Sequence, residues 1–159
     1  MFDSSDFRQF MGCFATGIAV LTLPDADGNP MGITINSLTS VSLKPPLVLF
    51  CLDRTARSYV AIKTAKRIVI NLLGESQEAV SRHFADPHHH ARPKNVWDES
   101  QSGCPVLCST LGWMIVKPVR RHKAGDHDIF VCAVTDLYKR GGHRDPLLYF
   151  HGRYRQIAT

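Results

Sequence analysis

Between Gly32 and Ser42 the chain reads Gly-Ile-Thr-Ile-Asn-Ser-Leu-Thr-Ser-Val-Ser, a run dense in short hydroxyl and amide side chains. Such a run suits the carbonyl and imide edge of a flavin-like ring, because small side chains also let backbone N–H groups come close. Hydroxyls on the solvent face of a strand give the same pattern, and composition alone leaves both readings open. Arg57-Ser58, at the start of a helix expected over 56–64, has the chemistry of a phosphate contact: outward N–H groups, a hydroxyl and a guanidinium fork. A plain helix cap beside a solvated arginine fits equally. Gly125-Asp126-His127 carries an imidazole, the side chain whose charge changes near neutrality, immediately after a turn signal.

Other reactive residues form no recognisable centre. Cys104 and Cys108 have no second cysteine pair to complete four convergent ligands, and His88-His89-His90 lies in a polar stretch, so no metal site is expected. A cysteine nucleophile would lack a base and an orienting group. Neither the glycine-rich dinucleotide fingerprint nor a P-loop is present. A net charge of +5 would attract an anionic ligand, but the densest basic stretch, Arg120-Arg121-His122-Lys123, has no aromatic ladder beside it, which argues against nucleic acid. The same stretch is a candidate for the 2′-phosphate of a dinucleotide. Five cysteines, an odd number, and an opening unlike a secretory leader point to a reducing, cytoplasmic setting, and no apolar run is long enough to span a membrane.

The elements that must position these residues are mostly strands. With 159 residues, 44% of them hydrophobic, one domain over 1–159 is expected. Phe7, Phe10, Met11 and Phe14 repeat at helical spacing, which predicts a helix over 6–16 whose apolar stripe packs in a core or against a second copy. Strands are expected on both sides of the Pro24–Pro30 turn. Leu47–Leu52 reads as a buried central strand, and further strands fall at 67–73, 111–119, 128–138, 147–150 and 154–157. Short helices are expected over 56–64 and 76–84. Residues 85–103, with their prolines and histidines, read as a long surface excursion. Six to eight short strands with hairpin joins predict a mainly β, closed or nearly closed antiparallel barrel with short peripheral helices. A barrel of this size fills with its own side chains, so a planar ligand belongs in an outside groove.

From Phe10-Met11 through Gly17-Ile18-Ala19-Val20, Gly32–Ser42, Leu43-Lys44-Pro45-Pro46, Asn71-Leu72-Leu73, Gly103-Cys104-Pro105, Gly125-Asp126-His127 and Pro146–Phe150 to Gly152-Arg153-Tyr154, the chain resembles the flavin reductase family with the FMN-binding split-barrel fold. These are reductase components that feed reduced flavin to separate monooxygenases. The resemblance implies a Greek-key split β-barrel in a homodimer, with FMN, or FAD, reduced by hydride from NADH or NADPH. It implies that Thr34, Asn36 and Ser37 lie along the flavin ring, Ser40, Val41 and Ser42 near its ribityl or phosphate end, and Cys51, Arg57 and Ser58 near its tail. His127 is the catalytic candidate: it lies beside the flavin and places the nicotinamide, with protonation of reduced flavin as the alternative role. Asp126 orients it or closes the turn by accepting backbone N–H bonds, and Tyr154 matches a region near the nicotinamide pocket. A same-fold protein with tightly held FMN and another acceptor, or a non-enzymatic flavin or haem carrier, are the alternatives. Two departures stand out: Lys117-Pro118 in the strand over 113–119, and Cys132 where relatives often carry glycine.

Overall fold

The computed structural model describes residues 1–87, 93, 95–98 and 103–157. In chain order these form α1 (Ser4–Gly12), β1 (Thr16–Gly17), β2 (Ala19–Pro24), β3 (Pro30–Ile35), β4 (Thr39–Leu43), β5 (Pro46–Asp53) and α2 (Tyr59–Thr64). There follow β6 (Ile68–Leu72), a 3-10 turn (Glu75–Gln77), α3 (Glu78–Ala85), β7 (Gly112–Ala124), β8 (His127–Lys139), β9 (Leu148–Phe150) and β10 (Arg153–Arg155).

Seven strands make one antiparallel sheet in the order β3-β2-β6-β7-β8-β5-β4, and β1, β9 and β10 make a second, smaller one. β6, β7 and β8 lie side by side in chain order, β6 joined to β7 through α3 and β7 to β8 by a tight hairpin, and β5, joined to β6 through α2, lies beside β8; this is a Greek key. The large sheet cannot be flat. Its two edges, β3 and β4, are joined by Asn36-Ser37-Leu38 alone. Four Cα steps reach at most about 15 Å, whereas the edges of a flat seven-stranded sheet stand about 28 Å apart. The sheet therefore rolls into a barrel, and it stays split where β3 and β4 meet, since no ladder joins them among the described residues.

Side chains fill the barrel. Phe50 and Phe130 stack with ring centroids 5.2 Å apart, surrounded by Leu21, Leu52, Ile62, Ile68, Ile70 and Val116. A second cluster, Ile18, Val20, Leu73, Leu107 and Leu147, packs with Phe84 and Trp97 outside the barrel. At Gly32 the barrel and α3 approach so closely that a Cβ would lie 2.9 Å from both the Leu21 carbonyl and the Phe84 ring.

Several elements differ from expectation, each for a local reason. Among the described residues ten strands form, seven of them in the barrel sheet: the run over 31–40 is split into β3 and β4, and the two-residue β1 pairs with β9, as does the expected last strand, β10. The first helix starts and stops earlier: Asp3, not a later residue, accepts from the N–H groups of Ser5 and Asp6, and Asp6 answers the Asp3 N–H. No residue of α1 is buried. β5 is not central but second from an edge, and burial alternates along it, with Val48, Phe50 and Leu52 inside. β7 runs straight past Pro118, because the register shifts between Pro118 and Arg120 and a bulge absorbs the missing N–H. Part of the expected excursion is tied down: Trp97 bridges to Leu107 and packs on Phe84 at 5.9 Å. His88–His90 lie outside the described residues.

Candidate functional site

A groove of ≈ 1050 Å³ runs outside the barrel, between α1, the split and the ends of β5 and β8. Strand alternation decides which residues reach it. Phe50 and Phe130 are cross-strand partners pointing inward, so Cys51 and, three positions before Phe130, His127 point outward. The β3–β4 connection adds Asn36, Ser37, Leu38 and Thr39, and the start of β1 adds Thr16. Phe7, Met11, Phe14, Leu72 and Leu111 supply apolar wall.

Within this wall the polar groups have different duties. Ser37 Oγ donates to the Cys51 carbonyl and accepts from the Cys51 N–H, both at 3.0 Å. It thus stands in for a missing strand partner and pins the connection to β5. Burial pushes the Cys51 thiol up, away from thiolate chemistry. Asn36 and Thr39 make no side-chain hydrogen bond within the described chain. Thr16 Oγ1 is buried without a partner. The sequence places Thr16 at the end of the first helix, whereas the helix stops at Gly12 and Thr16 opens β1.

His127 opens β8 after a two-residue turn, Gly125-Asp126, in which Gly125 has φ +60°, a conformation that suits the first central position of a type II′ hairpin. Its Nδ1 lies 2.7 Å from Asp126 Oδ1. That hydrogen bond is the main cause that holds the Asp126 carboxyl below the usual carboxylate range. An ionised carboxylate only accepts, so Nδ1 carries the proton and Nε2 is the ring nitrogen left for a ligand.

The remaining predicted residues are distributed elsewhere. Ser40, Val41 and Ser42 lie on edge strand β4, where the register shifts between Ser40 and Ser42, so that Val41 is the extra, unpaired residue. Arg57 is exposed, and Ser58, at the start of α2, is buried with its Oγ unpartnered. Thr34 is drawn to α3 instead, donating to the Ser81 carbonyl at 2.7 Å, and Tyr154 meets the Ser81 hydroxyl at 2.9 Å. Neither lines the groove. The basic stretch is divided by alternation: Arg121 turns toward the barrel end, 3.4 Å from Asp128, while Arg120 and His122 share the face of His127.

Comparison with known proteins gives a consistent result. The model of the flavin reductase like domain matches residues 11–158. A probable flavin reductase of Rhizobium meliloti (strain 1021) is 39% identical over 157 residues, covering 93% of this chain, which spans only 50% of that relative's length. The reductase subunit HsaB of a flavin-dependent monooxygenase from Rhodococcus jostii (strain RHA1) is 36% identical, covering 98% of this chain and 78% of its own. The solved structure of the flavin reductase PheA2 in its native state superposes with a TM-score of 0.88 at 36% identity, covering 99% of this chain and all of that one.

Proposed function

The chain belongs to the flavin reductase like family, and from that membership and the groove we propose that it passes hydride from NADH or NADPH to FMN, or FAD, and supplies the reduced flavin to a separate monooxygenase. The observation that carries the reading is the convergence of Thr16, Asn36, Ser37, Thr39, Cys51 and His127 on one groove outside a filled barrel. The lining fits a flavin. The unpartnered Thr16 hydroxyl and the free polar groups of Asn36 and Thr39 match a ring edge of carbonyl and imide groups, and the groove's volume is at the upper end of the roughly 300–1,000 Å³ of small-molecule sites.

When bound, the flavin supplies the hydride acceptor. The chain's own residues order the reactants. Ser37 fixes the connection that carries Asn36 and Thr39 against the ring. The unpaired backbone at Val41 and the buried Ser58 hydroxyl, with Arg57 beside it, receive the ribityl and phosphate end. His127 presents Nε2 to the nicotinamide, and Asp126 keeps the ring in the tautomer in which that nitrogen accepts from a carboxamide N–H. Its task is placement of the donor carbon, which for a hydride step is the larger part of what a protein contributes. Phe7, Met11 and Phe14 keep water from the groove.

The working unit is a homodimer. α1 buries nothing in the single chain, and Phe10 and Phe14 are 74% and 68% exposed, an apolar stripe that a second copy covers. Residues 1–159 act as one domain. The five unpaired cysteines support a cytoplasmic location, and no helix among the described residues is long and apolar enough to cross a membrane. Anaerobic mixing of the protein with NADH or NADPH and FMN or FAD tests the activity: at least one pair should bleach the flavin absorbance at catalytic protein concentration, and four inactive pairs would overturn the reading.

A further inference from the structure

Asp128 is fully buried, and it directly follows His127. A carboxylate in that place is expensive unless cations and donors meet it. Three elements send one each. Tyr59 Oη of α2 donates to Oδ2 at 2.7 Å, Arg121 Nε of β7 lies 3.4 Å from the same oxygen, and Arg54 Nη1, from the link after β5, lies 3.9 Å from Oδ1.

Arg54 does more than balance charge. Its Nη2 donates to the Gly125 carbonyl, and its backbone N–H donates to the Asp126 carbonyl at 3.2 Å. One residue thus grips both residues that precede His127 and the carboxylate of the one that follows. The turn needs such a hold, because it is the tip of a hairpin of two thirteen-residue strands beyond the Pro118 bulge, and hairpin tips are otherwise mobile. Among the described residues, the hydrogen bonds that reach Gly125 and Asp126 from outside the hairpin both come from Arg54.

We propose that Arg54 and Asp128 form a clamp beneath the Gly125-Asp126-His127 turn that sets where the His127 ring stands. Both are positioning residues: neither lines the groove, and each acts through the turn. Asp128 fixes the Arg54 guanidinium from inside the barrel, and Arg54 passes that constraint to the two turn carbonyls. Tyr59 and Arg121 hold Asp128 in register from the opposite side.

The test compares Arg54→Ala, Arg54→Lys and Asp128→Asn. The first readout uses ligand-free protein, following the Asp126 carboxyl by 13C NMR titration, since its low value reports the hydrogen bond to His127. In Arg54→Ala and Asp128→Asn that titration should move up toward an ordinary carboxylate, and Arg54→Lys should restore part of the difference. The second readout rests on the nicotinamide reading of His127: KM for the nicotinamide should rise about tenfold in Arg54→Ala, with flavin Kd unchanged. Arg54 is 38% exposed, so its truncation leaves the fold in place if Asp128→Asn does not. An Asp126 titration unchanged in Arg54→Ala overturns the clamp, as does a parallel loss of flavin affinity and melting temperature. A moved titration with an unchanged KM upholds the clamp and removes His127 from the nicotinamide site.

Discussion

Two buried polar clusters hold this fold together, and they are built on opposite plans. On the outer face of β2 and β6, the Asn71 amide donates to the Val20 carbonyl at 3.0 Å and the Thr22 hydroxyl at 2.9 Å, and accepts from the Leu107 N–H at 2.9 Å. Thr22 in turn donates to the Pro105 carbonyl. Every group is neutral and paired, and the segment over 105–107 is stapled to the sheet. At the barrel end, Asp128 is charged, its Oδ1 lacks a hydrogen bond, and its two arginines lie at the rim, 38% and 35% exposed. The neutral cluster fixes one arrangement. The charged one draws its cations from two elements around the turn that carries His127, so the cluster next to the site is held by charge at the rim and the one away from it by paired neutral groups.

Truncating each cluster measures the contrast. Asn71→Ala strands the Leu107 N–H and removes two acceptor contacts inside the protein, and should lower the unfolding free energy by about 3 kcal/mol, read from urea denaturation. Asp128→Asn keeps an acceptor for Tyr59 and lets both rim arginines return to water, so its loss should be smaller, about 1–2 kcal/mol. Equal losses would mean that the arginines do not rehydrate and stay committed to the barrel end.

The neutral cluster and the charged one were unequally visible in the sequence. Local signals found the strands, the Gly125-Asp126 turn and the donor-rich run over 32–42. Asn36, Ser37, Cys51 and His127, which the family resemblance groups, line one groove. What local signals could not show was where the run divides. β3 and β4 are opposite edges of the sheet, so Thr34 goes to α3 while Asn36, two residues on, reaches the groove. Asp128 read as the mere start of a strand, because its partners Arg54, Tyr59 and Arg121 come from three other elements and only the barrel brings them together. The strand expected over 111–119 stops short of β7, which runs on to Ala124, for a similar reason: the bulge at Pro118 is a property of the pair of strands, not of one.

Changes at the turn should affect binding rather than stability, and so separate the site from the cluster beneath it. His127→Ala should raise the nicotinamide KM by about tenfold and leave flavin binding intact, as followed by stopped-flow reduction and flavin titration. Asp126→Asn keeps the ring but releases its tautomer, and should give a smaller rise, about threefold. If either variant also lost flavin affinity, His127 would hold the flavin as well as the nicotinamide, and its assignment to the hydride donor alone would fail.

The smallest expected effect is in the response to pH, and it distinguishes the clusters by sign. The Asp126 carboxyl lies below its usual value, chiefly through the His127 hydrogen bond. Its contribution is therefore complete above the unfolded carboxylate value of about 3.9 and is lost as pH falls through the lower folded value. Tyr59 shifts the other way, chiefly because its hydroxyl donates to Asp128. That contribution is complete below the unfolded phenol value of about 10 and is lost as pH rises through the higher folded value. The Asn71 cluster titrates at neither end. Melting curves should thus show an acid decline that Asp126→Asn flattens and an alkaline decline that Tyr59→Phe flattens. Asn71→Ala should lower the whole profile without bending either limb, and a change of shape in that variant would show that the two clusters are coupled through β6 and β7.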